Sequence, residues 1–302
     1  IALITLTPKT VSLIDSEVVF AGSMPWEKQQ YLQNTTPVLG VRAEPIVKIV
    51  SNNLVGPQFT ANAVLAEDFE SGLLLYQKNI NERMAPASTT KIMTAIVASE
   101  YFKSGDILEV TSRGLVGGSD MGLSLGEQLT FKTLLYGMLL NSGNDAAFTI
   151  ADNYPGGINA FVGKMNEKTE QLGLTQTHFQ NPAGFDAMDH YSSASDLAVI
   201  AKEAMKNPNL AKVFATKDAT VTSVDGTRTH TLRNLNQLLN RNGVIGIKTG
   251  YTEIAGENFV GLVDRNGHKV LTVVLNSSDR FGETRSLMDW VYQNYTWQVT
   301  SN

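Results

Sequence analysis

The stretch ENFVGLVDRNGHKVLTVVL (257–275) decides the fold, because it places two strand-like runs on either side of Asn266-Gly267. An Asn-Gly pair between apolar runs is typical of the tight turn of a β-hairpin. A second hairpin is predicted far away in the chain, where NAVLAEDFESGLLLYQKN (62–79) sets Glu70-Ser71-Gly72 between two similar runs. Hairpins so far apart predict one antiparallel sheet that is built from both ends of the chain.

The sequence between the two hairpins is dominated by helical patterns. Apolar residues recur at helical spacing in FKTLLYGMLL, INAFVGKMNEKTEQLGL and SASDLAVIAKEAMK, and Gly- or Pro-rich turns separate these segments. We therefore expect a mostly helical insertion over about 105–240, and a last helix over RFGETRSLMDWVYQNYTW (280–297). The expected fold class is α/β of the α+β kind, with helices flanking the sheet and an active site between sheet and insertion.

The first part of the chain is expected to stand apart from this domain. Residues 1–57 hold several prolines and scattered polar residues without a sustained period, so we predict an N-terminal extension or linker there and one folded domain over 58–302. The apolar opening IALITLTPKTVSLI (1–14) is too short to span a bilayer. Because the chain starts at Ile1 rather than Met, a removed signal or a membrane tether before Ile1 stays an open alternative.

Composition narrows the classes of function. Of the 302 residues 42% are hydrophobic, which is enough for a full core, and the formal net charge is -5 without a cluster of Lys and Arg. We therefore expect no nucleic acid partner. Cysteine is absent, so disulfides and thiolate sites are excluded. No metal or cofactor is expected either, since the four histidines show no metal-ligand spacing: His178, His190, His230 and His268.

The stretch PASTTKIMTA (86–95) reads as a helix start that carries Ser88 and Lys91 on one helical face. Two interpretations remain open: a cap beside an ordinary surface lysine, or a nucleophile beside its base. In the second, free N–H groups at the helix start favour negative charge developing at Ser88. Lys91 can then take the serine proton if burial and a second cation keep its amine neutral. Lys248 is a candidate for that cation, and Gly250, two residues on, permits a substrate backbone to approach closely.

A competing hydrolase signal is GLSLG (122–126), which matches the G-x-S-x-G elbow with Ser124 as nucleophile. That elbow needs a strand before the serine and a helix beginning at the serine. The next helix is predicted only near Thr130, so the elbow is the less favoured interpretation.

Three short motifs together resemble the serine penicillin-recognising enzymes: S-T-T-K at 88–91, S-G-N at 142–144 and K-T-G at 248–250. Their flanks, such as NPAGFDAMDHYSSASDLAVIA (181–201), look like the D-alanyl-D-alanine carboxypeptidases of low molecular weight. This resemblance covers most of residues 60–290. It implies a β-lactamase/transpeptidase-like fold and an extracytoplasmic enzyme without metal or cofactor. Such an enzyme removes the terminal D-alanine of peptidoglycan stem peptides through an acyl-enzyme, and β-lactam antibiotics inhibit it.

The resemblance also implies a role for each motif residue. Ser88 would be the acylated nucleophile and Lys91 its base, with Ser142 as the third catalytic residue. Ser142 and Asn144 would form the second wall of the cleft. Lys248, Thr249 and Gly250 would form the third wall. The N–H of Tyr251 would be the second donor of the oxyanion hole. Arg280 would bind the terminal carboxylate of the substrate. On the residues alone, Arg280 can instead cap the last helix or pair with Glu283.

Two rival functions remain beside the carboxypeptidase. A β-lactamase needs a fast route for water to the acyl-enzyme, and the sequence shows no Glu in a recognisable deacylation motif. A penicillin-binding sensor module would keep Ser88 and Lys91 but would not turn over. Measuring turnover separates the sensor from the enzyme.

Overall fold

The computed structural model describes residues 46–49 and 55–298. The extension predicted over 1–57 therefore lies mostly outside the described residues, and its boundary stays a prediction. The strands are β1 Ile46–Ile49, β2 Ala63–Asp68, β3 Leu74–Lys78, β4 Ile107–Glu109, β5 Gln128–Thr130, β6 Asp218–Thr222, β7 Thr229–Arg233, β8 Val244–Thr252, β9 Gly256–Arg265, β10 His268–Ser277 and β11 Tyr295–Gln298. The α-helices are α1 Lys91–Tyr101, α2 Phe131–Leu140, α3 Asn144–Asp152, α4 Gly157–Gln171, α5 Ala194–Met205, α6 Pro208–Phe214 and α7 Arg280–Asn294.

The main sheet joins the two ends of the domain. Its strand order is β3-β2-β10-β9-β8, and every neighbouring pair is antiparallel. Ala63 of β2 lies opposite Leu275 of β10, so the first hairpin pairs directly with the last one. The predicted sheet and the mixed α/β fold class are confirmed.

The sheet separates two layers of helices. Successive residues of a strand point to opposite faces, and in β2 this sends Leu65 into one core and Val64 into another. The larger core contains residues of α1 to α6, whereas the smaller one contains Leu287 and Val291 of α7. The sheet is therefore covered on both faces, and α1 lies on the side of the helical insertion.

Two details differ from the sequence prediction. The insertion contains two short hairpins, β4–β5 and β6–β7, as well as helices. The last helix ends at Asn294, and the prediction that it continues to 297 is wrong, because Tyr295–Gln298 pairs with Ile46–Ile49 as a strand. Aromatic and β-branched residues such as Tyr295 and Thr296 favour a strand once a partner is present. In the part of the chain described here, none of the helices has the length and apolar character needed to cross a membrane.

Candidate active site

Ser88 lies in a single 3-10 turn, Ala87–Thr90, which leads directly into α1. Ala87 has a φ of +47°, a left-handed backbone conformation that is uncommon for a residue with a side chain. This places a strained residue immediately before the predicted nucleophile. Such strain persists only where surrounding contacts hold the backbone in place.

Lys91 begins α1, and its side chain is fully buried. Its Nζ lies 2.8 Å from Ser88 Oγ, 2.7 Å from Asn144 Oδ1 and 2.7 Å from the carbonyl oxygen of Ala183. Asn144 is oriented by its own Nδ2, which donates to the carbonyl oxygen of Gly117. The sequence-predicted residues Ser88, Lys91 and Asn144 are thus brought together around one amine, and Lys91 is not a surface lysine.

These three partners fit a neutral amine. A neutral lysine has two N–H donors and one lone pair. Asn144 Oδ1 and the Ala183 carbonyl can only accept, so they take the two N–H groups. The lone pair then faces Ser88 Oγ, whose hydroxyl can donate to it. This is the arrangement that a general base needs.

The electrostatics favour the neutral form of Lys91. Burial lowers its pKa well below the ordinary lysine value, and the positive charge of Lys248 lowers it further, whereas Asp145 raises it. Burial and the charge of Arg280 also lower the pKa of Lys248, to about 7. The site therefore contains two buried lysines whose charges are unfavourable for one another.

Strand β8 runs past the 3-10 turn at close range. A Cβ on Gly250 would lie 3.1 Å from both the Ser88 nitrogen and the Pro86 carbonyl oxygen, so a side chain there would crowd the nucleophile's backbone. Arg280, the first residue of α7, donates from Nη1 to the carbonyl oxygen of Gly250 at 2.9 Å. Asp279 is the N-cap of that helix, so Arg280 does not cap it. Among the described residues no ion pair joins Arg280 to Glu283. Burial lowers the pKa of Arg280, and the carboxylate that opposes this effect is Glu257.

The remaining predicted residues line the same region with fewer contacts. Ser142 is buried with a φ of +60°, and within the described residues its hydroxyl makes no hydrogen bond. Lys248 Nζ donates to the carbonyl oxygen of its neighbour Thr249 at 2.9 Å, and both side chains are buried. Tyr251 is 61% exposed, so its ring stands at the rim rather than in the floor of the site.

Two residues that the sequence did not single out organise the site. Asn181 Oδ1 accepts the N–H groups of Ala183, Gly184 and Phe185, which fixes the loop whose Ala183 carbonyl meets Lys91. Asp145 is a buried carboxylate beside Asn144. It accepts backbone N–H groups from four residues and ties a loop to the start of α3: Met121, Gly122, Leu123 and Ala146. The Asn-Pro dipeptide at 181–182, typical of turn initiation, was the available signal for the first of them.

The competing elbow is not formed. Ser124 follows irregular backbone, and the next regular elements are β5 and then α2, which begins at Phe131. Within the described residues the histidines make no hydrogen bond to Ser88 or Lys91, and they make structural contacts instead. His190, for example, is buried with its pKa lowered by burial to about 4, and its Nε2 bonds Thr90 Oγ1 at 2.9 Å.

Comparisons with known proteins identify the family. A model of the peptidase S11 family, described as D-alanyl-D-alanine carboxypeptidase, matches residues 50–279. The D-alanyl-D-alanine carboxypeptidase DacF of Bacillus subtilis is 36% identical over 249 residues, covering 78% of this chain. DacB2 of Mycobacterium tuberculosis, also named a D-alanyl-D-alanine carboxypeptidase, is 35% identical over 78% of this chain and 83% of its own length.

The fold has close relatives among solved structures. The crystal structure of the Streptomyces K15 DD-transpeptidase aligns with a TM-score of 0.75 at 32% identity, over 80% of this chain and 100% of that one. The present chain spans 62% of the length of DacF, so it matches part of that relative. Because the family model covers most of the chain and spans all three motifs, the chain belongs to the peptidase S11 family of D-alanyl-D-alanine carboxypeptidases.

Proposed function

We propose that this chain is a serine D-Ala-D-Ala carboxypeptidase that removes the terminal D-alanine from peptidoglycan stem peptides. The observation that carries the proposal is the Lys91 amine, buried and bonded at once to Ser88 Oγ, Asn144 Oδ1 and the Ala183 carbonyl. This environment supplies a neutral base within hydrogen-bond reach of a hydroxyl. The family membership and the names of the relatives support the choice of substrate.

The proposed reaction has two halves. Lys91 takes the proton of Ser88 Oγ as that oxygen attacks the carbonyl of the penultimate D-alanine. The N–H groups of Ser88 and Tyr251 stabilise the resulting oxyanion. Collapse breaks the peptide bond, and the proton returns to the leaving amine of the terminal D-alanine, with Ser142 assigned as the relay. Water then attacks the ester on Ser88 and frees both the shortened peptide and the enzyme.

We assign substrate binding to β8 and its neighbours. Thr249 and Arg280 would hold the free C-terminal carboxylate, since a guanidinium and a hydroxyl can bind it through charge-assisted hydrogen bonds. Lys248 adds positive charge, and Asn144 would contact the peptide on the other side of the cleft. β-Lactams would acylate Ser88 in place of the peptide. Because peptidoglycan lies outside the cytoplasmic membrane, we place the protein in the cell envelope. Fractionation of cells that express the whole protein would test for a tether.

The test is acylation followed by product analysis. Incubation with a penicillin and peptide mapping should place the adduct on Ser88, and Ser88→Ala should remove it. Purified pentapeptide muropeptides should lose one D-alanine by mass spectrometry. An adduct on Ser124 would contradict the assignment of the nucleophile, and rapid hydrolysis of the penicillin would favour a β-lactamase. Acylation without any peptide turnover would favour a sensor.

A D,D-transpeptidase is the second candidate, and the match to the full length of the Streptomyces K15 DD-transpeptidase, over 80% of this chain, favours it. The acyl-enzyme would be the same, but an amine rather than water would release it. Adding an acceptor amine to the muropeptide assay distinguishes the two, because a transpeptidase would form the cross-linked product in preference to the hydrolysed one.

A further inference from the structure

Asn258 lies on β9 directly opposite Gly250 of β8, and its side chain is fully buried. We infer that Asn258 is a positioning residue, which holds the backbone before Ser88 against the sheet and thereby sets the spacing between the two N–H groups of the oxyanion hole. The inference rests on the proposed function, in which Ser88 is acylated and the N–H groups of Ser88 and Tyr251 bind the oxyanion. Asn258 itself touches neither the nucleophile nor the substrate in this scheme.

The position of Asn258 follows from the sheet. In an antiparallel pair, two residues that lie opposite each other point their side chains to the same face. Gly250 has no side chain, so the face above it is open, and the backbone of residues 86–88 comes within 3.1 Å of where its Cβ would be. Because Gly250 has no side chain, the backbone of residues 86–88 can pack directly on this part of the sheet. Asn258 lies beside that contact.

The amide of Asn258 binds the backbone on both of its sides. Nδ2 donates to the carbonyl oxygen of Ala85 at 2.9 Å, and Oδ1 accepts the N–H of Asn276 at 2.8 Å. Asn276 lies in the irregularity of β10 between Val274 and Ser277 and has a φ of +54°. The bulge turns the Asn276 N–H toward Asn258, so the orientation of the amide is fixed. An amide offers one donor and one acceptor side by side, which matches these two backbone partners.

In the described part of the chain, the other contacts of residues 84–87 do not tie Ala85 to the main sheet. Met84 exchanges two backbone hydrogen bonds with Ser192, at 2.7 and 2.9 Å, which anchors the segment one residue earlier. On the opposite side, Gly184 packs against the Ala87 carbonyl. Within the described residues, Asn258 makes the side-chain hydrogen bond that joins Ala85 to the main sheet. Displacement of a reacting group by about 1 Å can cost a factor of about 100 in rate, so this anchor bears on catalysis.

The experiment measures acylation of the purified protein by a D-Ala-D-Ala depsipeptide ester and by its thionoester, in which sulfur replaces the scissile carbonyl oxygen. Asn258→Asp keeps the acceptor for Asn276, and it removes the donor to Ala85 where its carboxyl is ionised, so the rates are measured at alkaline pH. We expect its acylation rate on the ester to fall about 10- to 100-fold, with noncovalent affinity changed by less than about threefold. The ratio of ester to thionoester rates should also shrink, because the thionoester already fits the oxyanion hole poorly and has less to lose.

The controls separate position from stability and from charge. Asn258→Leu has nearly the same size, adds no charge and removes the donor to Ala85 together with the acceptor for Asn276, and it carries the test if the Asp variant does not fold. Asn153→Asp is the matched control, since Asn153 binds the backbone of Glu109 through both its donor and its acceptor, at 2.9 and 3.2 Å, and contacts none of the site residues. It should acylate within about twofold of wild type.

The outcomes distinguish the two levels of the proposal. If wild type is not acylated on Ser88, the proposed function fails and the positioning role fails with it. If wild type is acylated, unchanged rates in Asn258→Asp and Asn258→Leu would overturn the positioning role alone. An equal loss on the ester and the thionoester would overturn it as well, since a general structural role would slow both substrates alike.

Discussion

As the proposed base, Lys91 should determine the pH dependence of the site. Burial and then the charge of Lys248 lower its pKa, and Asp145 opposes them. Because the base must be unprotonated, kcat/KM should rise with pH through an ionisation well below that of a free lysine and then level off. Lys91→Arg keeps the charge but cannot release a proton at these pH values, so acylation by penicillin should be lost.

Lys248→Met tests the source of this shift. It removes a cation that disfavours the protonated form of Lys91, so the pKa of Lys91 should increase and the rising limb of the profile should move to higher pH. The measured quantity is the midpoint of that limb in penicillin acylation, because the plateau can also fall through weaker anion binding. A midpoint that stays in place or moves to lower pH would contradict the effect of Lys248.

The role we propose for Arg280 is to distinguish a free C-terminus from a continuing chain. If it binds the terminal carboxylate, Arg280→Ala should lower kcat/KM for a D-Ala-D-Ala acid by roughly 2 kcal/mol or more, the scale of a charged hydrogen bond. The same peptide with an amidated C-terminus should be nearly unaffected. Equal losses on both peptides would mean that Arg280 supports β8 through the Gly250 carbonyl instead.

At the scale of elements, Gly184 allows the loop at 181–185 to pack closely against the 3-10 turn. Gly184 has a φ of +92°, and a Cβ there would lie 1.8 Å from the Ala87 carbonyl oxygen. Gly184→Ala should therefore lower the free energy of unfolding by at least about 3 kcal/mol, from the backbone conformation and the clash together. Chemical denaturation, with the m-value checked for constancy, gives the measurement.

Gly267→Ala is the matched control for that prediction. Gly267 has a φ of +83°, close to that of Gly184, but nothing lies within 4 Å of its would-be Cβ. Its substitution should cost only the backbone term, about 1 kcal/mol. Similar losses in the two variants would show that the contact with Ala87 adds nothing.

The elements also show which parts of the site were accessible from sequence. The hairpins at Ser71-Gly72 and Asn266-Gly267 were predictable because turn chemistry is local. The left-handed backbone of Ala87 was not, because it depends on Gly184, which is distant in the sequence. Asn258 gave no signal for the same reason: in sequence it is one polar residue in an apolar strand, and its partners Ala85 and Asn276 come together only in the folded sheet.

At the scale of the whole molecule, α1, which follows the proposed nucleophile, and the C-terminal strand β11 pack in different cores on opposite faces of the sheet. Trp297 of β11 stacks on His268, with ring centroids 4.9 Å apart, and its Nε1 donates to Asp68 Oδ1 at 2.7 Å. It packs against the core of α7, whereas α1 packs in the larger core on the other face. Stability and catalysis should therefore respond separately to changes in this strand.

Trp297→Ala should lower the free energy of unfolding by about 2 kcal/mol, through lost packing and the loss of the donor to Asp68 Oδ1. Trp297→Phe keeps an aromatic ring and should lose about half as much. Both variants should be acylated by penicillin at the wild-type rate at a temperature where they remain folded. A slower acylation in either would show that the two faces of the sheet are coupled.

Because Ala63 pairs with Leu275, the main sheet can be completed only late in the synthesis of the chain. The hairpin β2–β3 is synthesised long before β10. For most of synthesis, the edge of β2 that later pairs with β10 is therefore unpaired and available to chaperones. Lys248 and Gly250 arrive late as well, with β8. A nascent chain that already contains Ser88 and Lys91 therefore has no complete cleft. A fluorescent penicillin should label completed chains but not chains that are still bound to the ribosome.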